Sequence, residues 1–140
     1  MKRIFFISCM LLFIMSCSTE IEINHKNISG VWKASEFNAQ VTNLSPADRE
    51  SGEKEFLSSV YTLNEDKTLE IHSDYFKNGV KGLWELDLKT NEISMTYMAE
   101  GMDALEKYIV TSLTKDKVVM RQEIDANDYK GFVEITFVKK

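Results

Sequence analysis

The sequence predicts an all-β domain, an eight-stranded antiparallel up-and-down barrel. Three observations predict it. Apolar and polar residues alternate with period two through eight short runs. Every second connection between those runs is a short polar turn, and the others are longer. Proline occurs once, at Pro46, and no low-complexity stretch or linker interrupts the chain, so one domain holds all the strands. Sequential strands with one buried face need closure or a covering layer to protect their edges. Eight strands is about the number at which a barrel closes around side chains or one small ligand. A flattened β-sandwich of the same strands satisfies the same count.

The chain opens "MKRIFFISCMLLFIMSC". Lys2 and Arg3 give a positive start, and an apolar run over 4–15 follows. That run is shorter than the roughly 20 apolar residues a membrane-spanning helix needs, and its flanks are those of a secretory signal. Ile14-Met15-Ser16-Cys17 resembles a bacterial lipobox. The resemblance implies cleavage before Cys17, a diacylglyceryl group on its thiol and an acylated amine. Residues 1–16 are then a lipoprotein signal peptide, and 17–27 are the lipidated cysteine and a tether, "STEIEINHKN" after Cys17. Several acyl chains anchor a protein stably where one is marginal. The implied place is the bacterial cell envelope, on the membrane without crossing it. Ser18 after the cysteine resembles outer-membrane lipoproteins, with the domain on the periplasmic or the surface face.

Cleavage leaves 124 residues and 15 basic against 22 acidic side chains, so the net charge moves from −5 to −7. An acidic chain repels phosphate backbones, which excludes nucleic acid as a partner. Cys9 leaves with the signal and Cys17 carries lipid, so no thiol remains for a disulfide, a nucleophile or a metal.

The barrel domain occupies residues 28–140. Its first strand, over 30–37, begins with Gly30-Val31-Trp32. The second covers 58–64. In the third, "TLEIHS", Leu69 and Ile71 point inward and Glu70 and His72 outward. In "LWELDL" Trp84, Leu86 and Leu88 oppose Glu85 and Asp87. In "NEISMTYM" Ile93, Met95 and Tyr97 share a face against Ser94 and Thr96. Two more strands cover 107–113 and 117–124. In the last, "VEITF", Val133, Ile135 and Phe137 alternate with Glu134 and Thr136. "NEDK", "KTN" and "TKDK" make tight turns at one end. "NAQVTNLSPADRESGEKEF", "DYFKNG", "MAEGMDALE" and "DANDYK" make longer connections at the other. The barrel therefore has a floor and a mouth.

Gly30-Val31-Trp32 resembles the Gly-x-Trp of lipocalins. The order of hairpins that follows, "YTLNEDKTLEI", "GLWELDLKTNEISMTY", "YIVTSLTKDKVVM" and a closing "ITFVKK", resembles the short lipocalin-like domains of bacterial lipoproteins. In that family the tryptophan plugs the barrel floor beneath a basic residue of the last strand. Strand parity from Phe137 puts Lys139 on the inward side at the level of Trp32, so Gly30, Trp32 and Lys139 form the expected floor. Arg121, on the outward parity of Val119 and Glu123, is the lesser candidate.

The candidate ligand-binding positions lie at the mouth: Phe37, Tyr75, Phe76, Met98, Met102, Tyr129 and Phe132, with Leu105 beside them. Aromatic and methionine side chains at a barrel mouth suit a small apolar or flat ligand, or a protein-binding patch. In "SPADRES" Ser45 reads as a helix N-cap, Pro46 as the first helical position and Asp48 as its reciprocal partner, which predicts a short helical lid. Bulky inward residues (Trp32, Tyr61, Trp84, Met95, Tyr97, Phe137) are equally consistent with a filled interior. That alternative makes the domain a protein-interaction or envelope-structural module.

No catalytic residue is assigned. No Ser-His-Asp order, phosphate loop or catalytic carboxylate pair stands out, and the mouth carboxylates Glu100 and Asp103 are the weakest of the three functional classes. No cofactor motif is present. His25 and His72 lack metal-ligand spacing. "DANDYKG" shares the spaced Asp125 and Asn127 with a calcium loop, but Tyr129, Lys130 and Thr136 stand where ligands or glycine belong. No metal is expected. Asn27-Ile28-Ser29 fits a glycosylation sequon by chance.

Overall fold

The computed structural model describes residues 19–140. Cys17 and the stretch expected to be a signal peptide lie outside these. After α1 (His25–Ile28), the strands are β1 (Gly30–Val41), β2 (Val60–Leu63), β3 (Thr68–His72), β4 (Val80–Asp87), β5 (Glu92–Ala99), β6 (Met102–Leu113), β7 (Lys117–Ala126) and β8 (Tyr129–Lys139), with α2 (Pro46–Leu57) between β1 and β2. All eight strands pair antiparallel in chain order, and β1 pairs with β8 to close the barrel. Closure removes the flattened sandwich as an alternative.

The alternation explains the walls. Leu69 and Ile71 of β3, Trp84 and Leu86 of β4, Ile93, Met95 and Tyr97 of β5, and Ile135 and Phe137 of β8 are all buried inside. Leu88, expected to continue that set, sits past the end of β4 and is exposed. Two bulges reset the phase. The β1–β8 register slips between Ala34 and Glu36, so Ala34 and Phe37 both face inward across Ser35. The β6–β7 register slips between Val110 and Ser112, so Val110 and Leu113 both face inward across Thr111.

The mouth differs from its expected form. The stretch "MAEGMDALE" is not a long loop. β5 and β6 run up to a turn made by Glu100 (φ 52) and Gly101 (φ 78). Two successive positive φ values define the type I′ turn that suits a twisted hairpin. "DANDYK" is likewise a tight turn, at Asn127 and Asp128 between β7 and β8. The connections of real length at this end are the α2 segment and the 73–79 loop.

The pairing also opens toward the mouth. β1 pairs with β2 only from Gly30 to Lys33, although β1 continues to Val41. β6 pairs with β7 only up to Ile109 opposite Arg121, although both strands continue. Above these points the wall separates into a β7–β8–β1 sheet and a β4–β5–β6 sheet. Gly131 (φ 143) lets β8 lie against β1 at the rim, since a Cβ there would overlap the Gln40 carbonyl.

The floor is more elaborate than a tether and a plug. Residues 19–27, read from sequence as part of the tether, lie with Ile28 against the barrel end. Ile21 donates its backbone N–H to the Leu113 carbonyl at 2.9 Å, and Glu20 bridges to Thr114. Ile21 and Ile23 pack on the core. Asn24 caps α1 by accepting the Asn27 N–H at 2.9 Å. This fixes Ile28, which is fully buried, and its carbonyl accepts the Trp32 indole N–H at 2.7 Å. Trp84 seals the other side, donating to the Asn64 carbonyl at 2.9 Å with the His25 ring 5.5 Å away. Both buried indoles therefore have partners. Lys139 pairs in register with Trp32 and holds its Nζ 5.1 Å from the ring centroid.

Candidate functional site

The mouth carries a cavity of about 280 Å³ between α2 and the β7–β8–β1 sheet. Phe37, Ala39 and Val41 supply one wall from β1, and Ile124, Tyr129 and Val133 supply another. Arg49, Asp48 and Gly52 of α2, with Leu44, form the roof. The lining is almost wholly apolar because it continues the inward face of three strands.

α2 is held by its ends and a few side chains. It has no apolar stripe and no buried residue. Ser45 caps it, accepting the Asp48 N–H at 3.1 Å. The Arg49 guanidinium donates to the Ala39 carbonyl of β1. Phe56 stacks on Phe37 with centroids 5.5 Å apart. Lys33 Nζ donates to the Leu57 carbonyl at 3.1 Å, serving the helix C-terminus. A helix attached this way is a lid with a small contact area.

The candidates separate by strand parity. Phe37 and Tyr129 line the cavity together. Phe76 is half-buried on the opposite side and meets Tyr97 edge-on at 5.9 Å. Tyr75 is exposed, packs edge-on against Phe76 at 4.9 Å and donates to Glu100 at 3.2 Å. Met102 stands exposed on the rim. Met98 and Phe132 stand at the mouth end but face the outer wall, not the opening. Met98 alternates with the inward Tyr97 and is 62% exposed on the outer wall. Phe132 alternates with the inward Val133 and lies beneath the Arg121 guanidinium, 3.7 Å from its centroid. Of the mouth carboxylates, Glu100 sits on its turn and Asp103 faces the outer wall beside Met98.

Within the barrel lies a constellation that the sequence reading missed. Glu106 of β6 shares the inward parity of Tyr108 and Val110. Tyr97 donates its hydroxyl to Glu106 Oε1 at 2.6 Å. Tyr108 donates to Oε2 at 3.2 Å, and Tyr61 reaches the same oxygen at 3.5 Å. Burial, and then the Glu106 charge, hold the Tyr61 hydroxyl well above its ordinary titration range. Burial, followed by Tyr61 and Glu106, does the same at Tyr108. At Tyr97 burial leads and the hydrogen bond to Glu106 follows. Three neutral phenols thus converge on one carboxylate, and among the described residues no cationic side chain pairs with it.

Below this level the interior is filled by Tyr61, Met95, Phe137 and the two tryptophans, so any room for a ligand is above it. Among the described residues no group of three or more His, Cys, Asp or Glu side chains is placed to hold a metal ion. No helix among them is long and apolar enough to cross a membrane. Compared with known families, curated proteins and solved structures, the chain matches no family model and no protein or structure significantly.

Proposed function

We propose that this chain is a lipid-anchored protein of the bacterial cell envelope, held on the outer membrane through Cys17. Its barrel, of the architecture lipocalins have, takes a small, mainly apolar molecule by non-covalent burial at the loop end. The observation that carries the reading is the apolar cavity of about 280 Å³ roofed by α2, near the lower size of small-molecule sites. A lid with few contacts admits and releases a ligand without unfolding the barrel. The anchoring rests on the lipobox resemblance at residues 14–17.

Native mass spectrometry of the chain extracted from its own membranes tests this. A reproducible small-molecule adduct is expected, lost in Val41→Trp. Val41 faces Gly131 across the β1–β8 pair and lines the cavity, so an indole there fills the space. A bare chain with no adduct would overturn the reading.

A second reading, docking to an envelope protein, has its own observation. Leu83, Met98 and Leu105 are 57–62% exposed on adjoining strands of the outer wall, around a groove of about 480 Å³ flanked by Lys81 and Asp103. A co-purifying protein released by Leu105→Glu, with no small-molecule adduct, would favour it.

A further inference from the structure

We infer that Glu106 is the polar anchor of the ligand site, and that the molecule taken at the mouth carries an N–H-bearing ammonium group on its apolar body. The inference rests on the small-molecule reading above and names the ligand class.

Hydrogen bonds from phenols satisfy lone pairs but leave the charge in place. A carboxylate offers about four lone-pair sites, and the three tyrosines engage one on Oε1 and up to two on Oε2. Oε1 therefore has an acceptor position to spare. The surroundings are apolar and aromatic, and an unpaired negative charge there interacts far more strongly with a cation than it does in water. A ligand carboxylate or phosphate would meet the same charge with repulsion.

The carboxylate is also reachable. Glu106 is half-buried although it faces inward. It lies on the part of β6 that β7 has already left, beyond Ile109 opposite Arg121. Counting on from that pair brings Glu106 to the height of Ile124, which lines the mouth cavity. Glu106 is not among the residues that line the cavity, so a ligand whose apolar body lies under α2 against β1 and β8 must extend its head beyond that lining to meet β6.

Three probes of one shape separate the contributions: 2-phenylethylamine, 2-phenylethanol and phenylacetate. Each is titrated calorimetrically into the full chain in nonionic detergent. The amine is expected to bind about tenfold or more tighter than the alcohol, the yield of roughly 1.4 kcal/mol from one ion pair, and phenylacetate weaker than both. In Glu106→Gln the amine should fall to the alcohol's affinity while the alcohol is unchanged. Tyr97→Phe removes one donor but keeps the carboxylate, so the amine preference should persist. That variant covers the case in which Glu106→Gln does not fold. Equal binding of amine and alcohol to the wild type, with Val41→Trp abolishing both, would overturn the anchor and leave the cavity reading standing. Binding of none of the three would overturn both.

Discussion

The Tyr97 hydroxyl donates to Glu106 Oε1 at 2.6 Å, across two strands of one barrel wall. Burial, and then that bond, raise the Tyr97 titration above the ordinary value of 10.0. Tyr61 and Tyr108 are likewise raised well above that value, first of all by burial. The sign of the consequence is fixed. A phenol held protonated by the fold contributes stability that is fully present below its unfolded value of about 10 and lost as pH rises through the folded value. The denaturation midpoint should therefore show no tyrosine-dependent loss as pH approaches 10 and should fall steeply above it. Phenolate absorbance from these three residues should appear together with unfolding. Tyr61→Phe should reduce the alkaline slope. Phenolate formation near pH 10 at all five tyrosines of the chain, with the barrel still folded, would contradict the network.

Trp32 and Lys139 set a second expectation. The indole is buried, donates to Ile28 and is roofed by the lysine. Trp32→Ala removes a core aromatic and orphans a carbonyl, so it should cost about 3–5 kcal/mol by urea unfolding. Lys139→Ala removes an exposed cation–π contact and should cost only about 0.5–1 kcal/mol. Equal effects would mean that the lysine, and not the indole, closes the floor.

The regular part of the barrel was legible because each of its strands has one buried face. Ile93, Met95 and Tyr97 against Ser94 and Thr96 leave no other reading, and the β4–β5 register follows. Legibility failed where that condition fails. Met98, Met102 and Leu105 place apolar side chains on the outer wall and rim, so alternation fades and the β5–β6 turn at Gly101 read as a loop. Glu106 was missed because it is the last residue of the stretch "MAEGMDALE", read as a connection, just before the strand expected over 107–113. Parity extended back from Val110 and Tyr108 would have turned it inward. Ile21 and Ile23 were read with the acidic residues around them as tether. Only the tertiary contacts with Leu113 and the core show them to be floor.

α2 offers a local test of the lid. It has no fully buried residue, so its persistence depends on the cap and on Arg49 and the half-buried Phe56. Ser45→Ala should cost about 1 kcal/mol of helix stability. Because the helix contributes little to the core, that loss should appear as roughly fivefold faster amide exchange over 46–57 with barrel amides unchanged. Ligand residence should shorten in parallel if the lid governs release. Uniformly faster exchange throughout the barrel would instead make α2 part of one cooperative unit with the strands.

The anchor is tested at Cys17. Between that residue and the first floor contact, the Glu20 bridge to Thr114, only two residues intervene. An extended chain gains at most about 3.6 Å per residue, so a lipidated Cys17 would hold the floor close to the bilayer. The mouth, at the opposite end of the barrel, would then face away from the membrane, and its ligand would enter from the aqueous side. Cys17→Ala should abolish incorporation of labelled palmitate and move the protein from the membrane to the soluble fraction. The barrel fold and the affinity for 2-phenylethylamine should be unaffected, because no described contact of the mouth involves the anchor. Inserting ten Gly/Ser residues after Ser18 lengthens the tether and should increase protease access to residues 20–28 without altering membrane retention. Membrane retention of Cys17→Ala at the wild-type level would reject the lipid anchor and return the segment to an ordinary secretory signal.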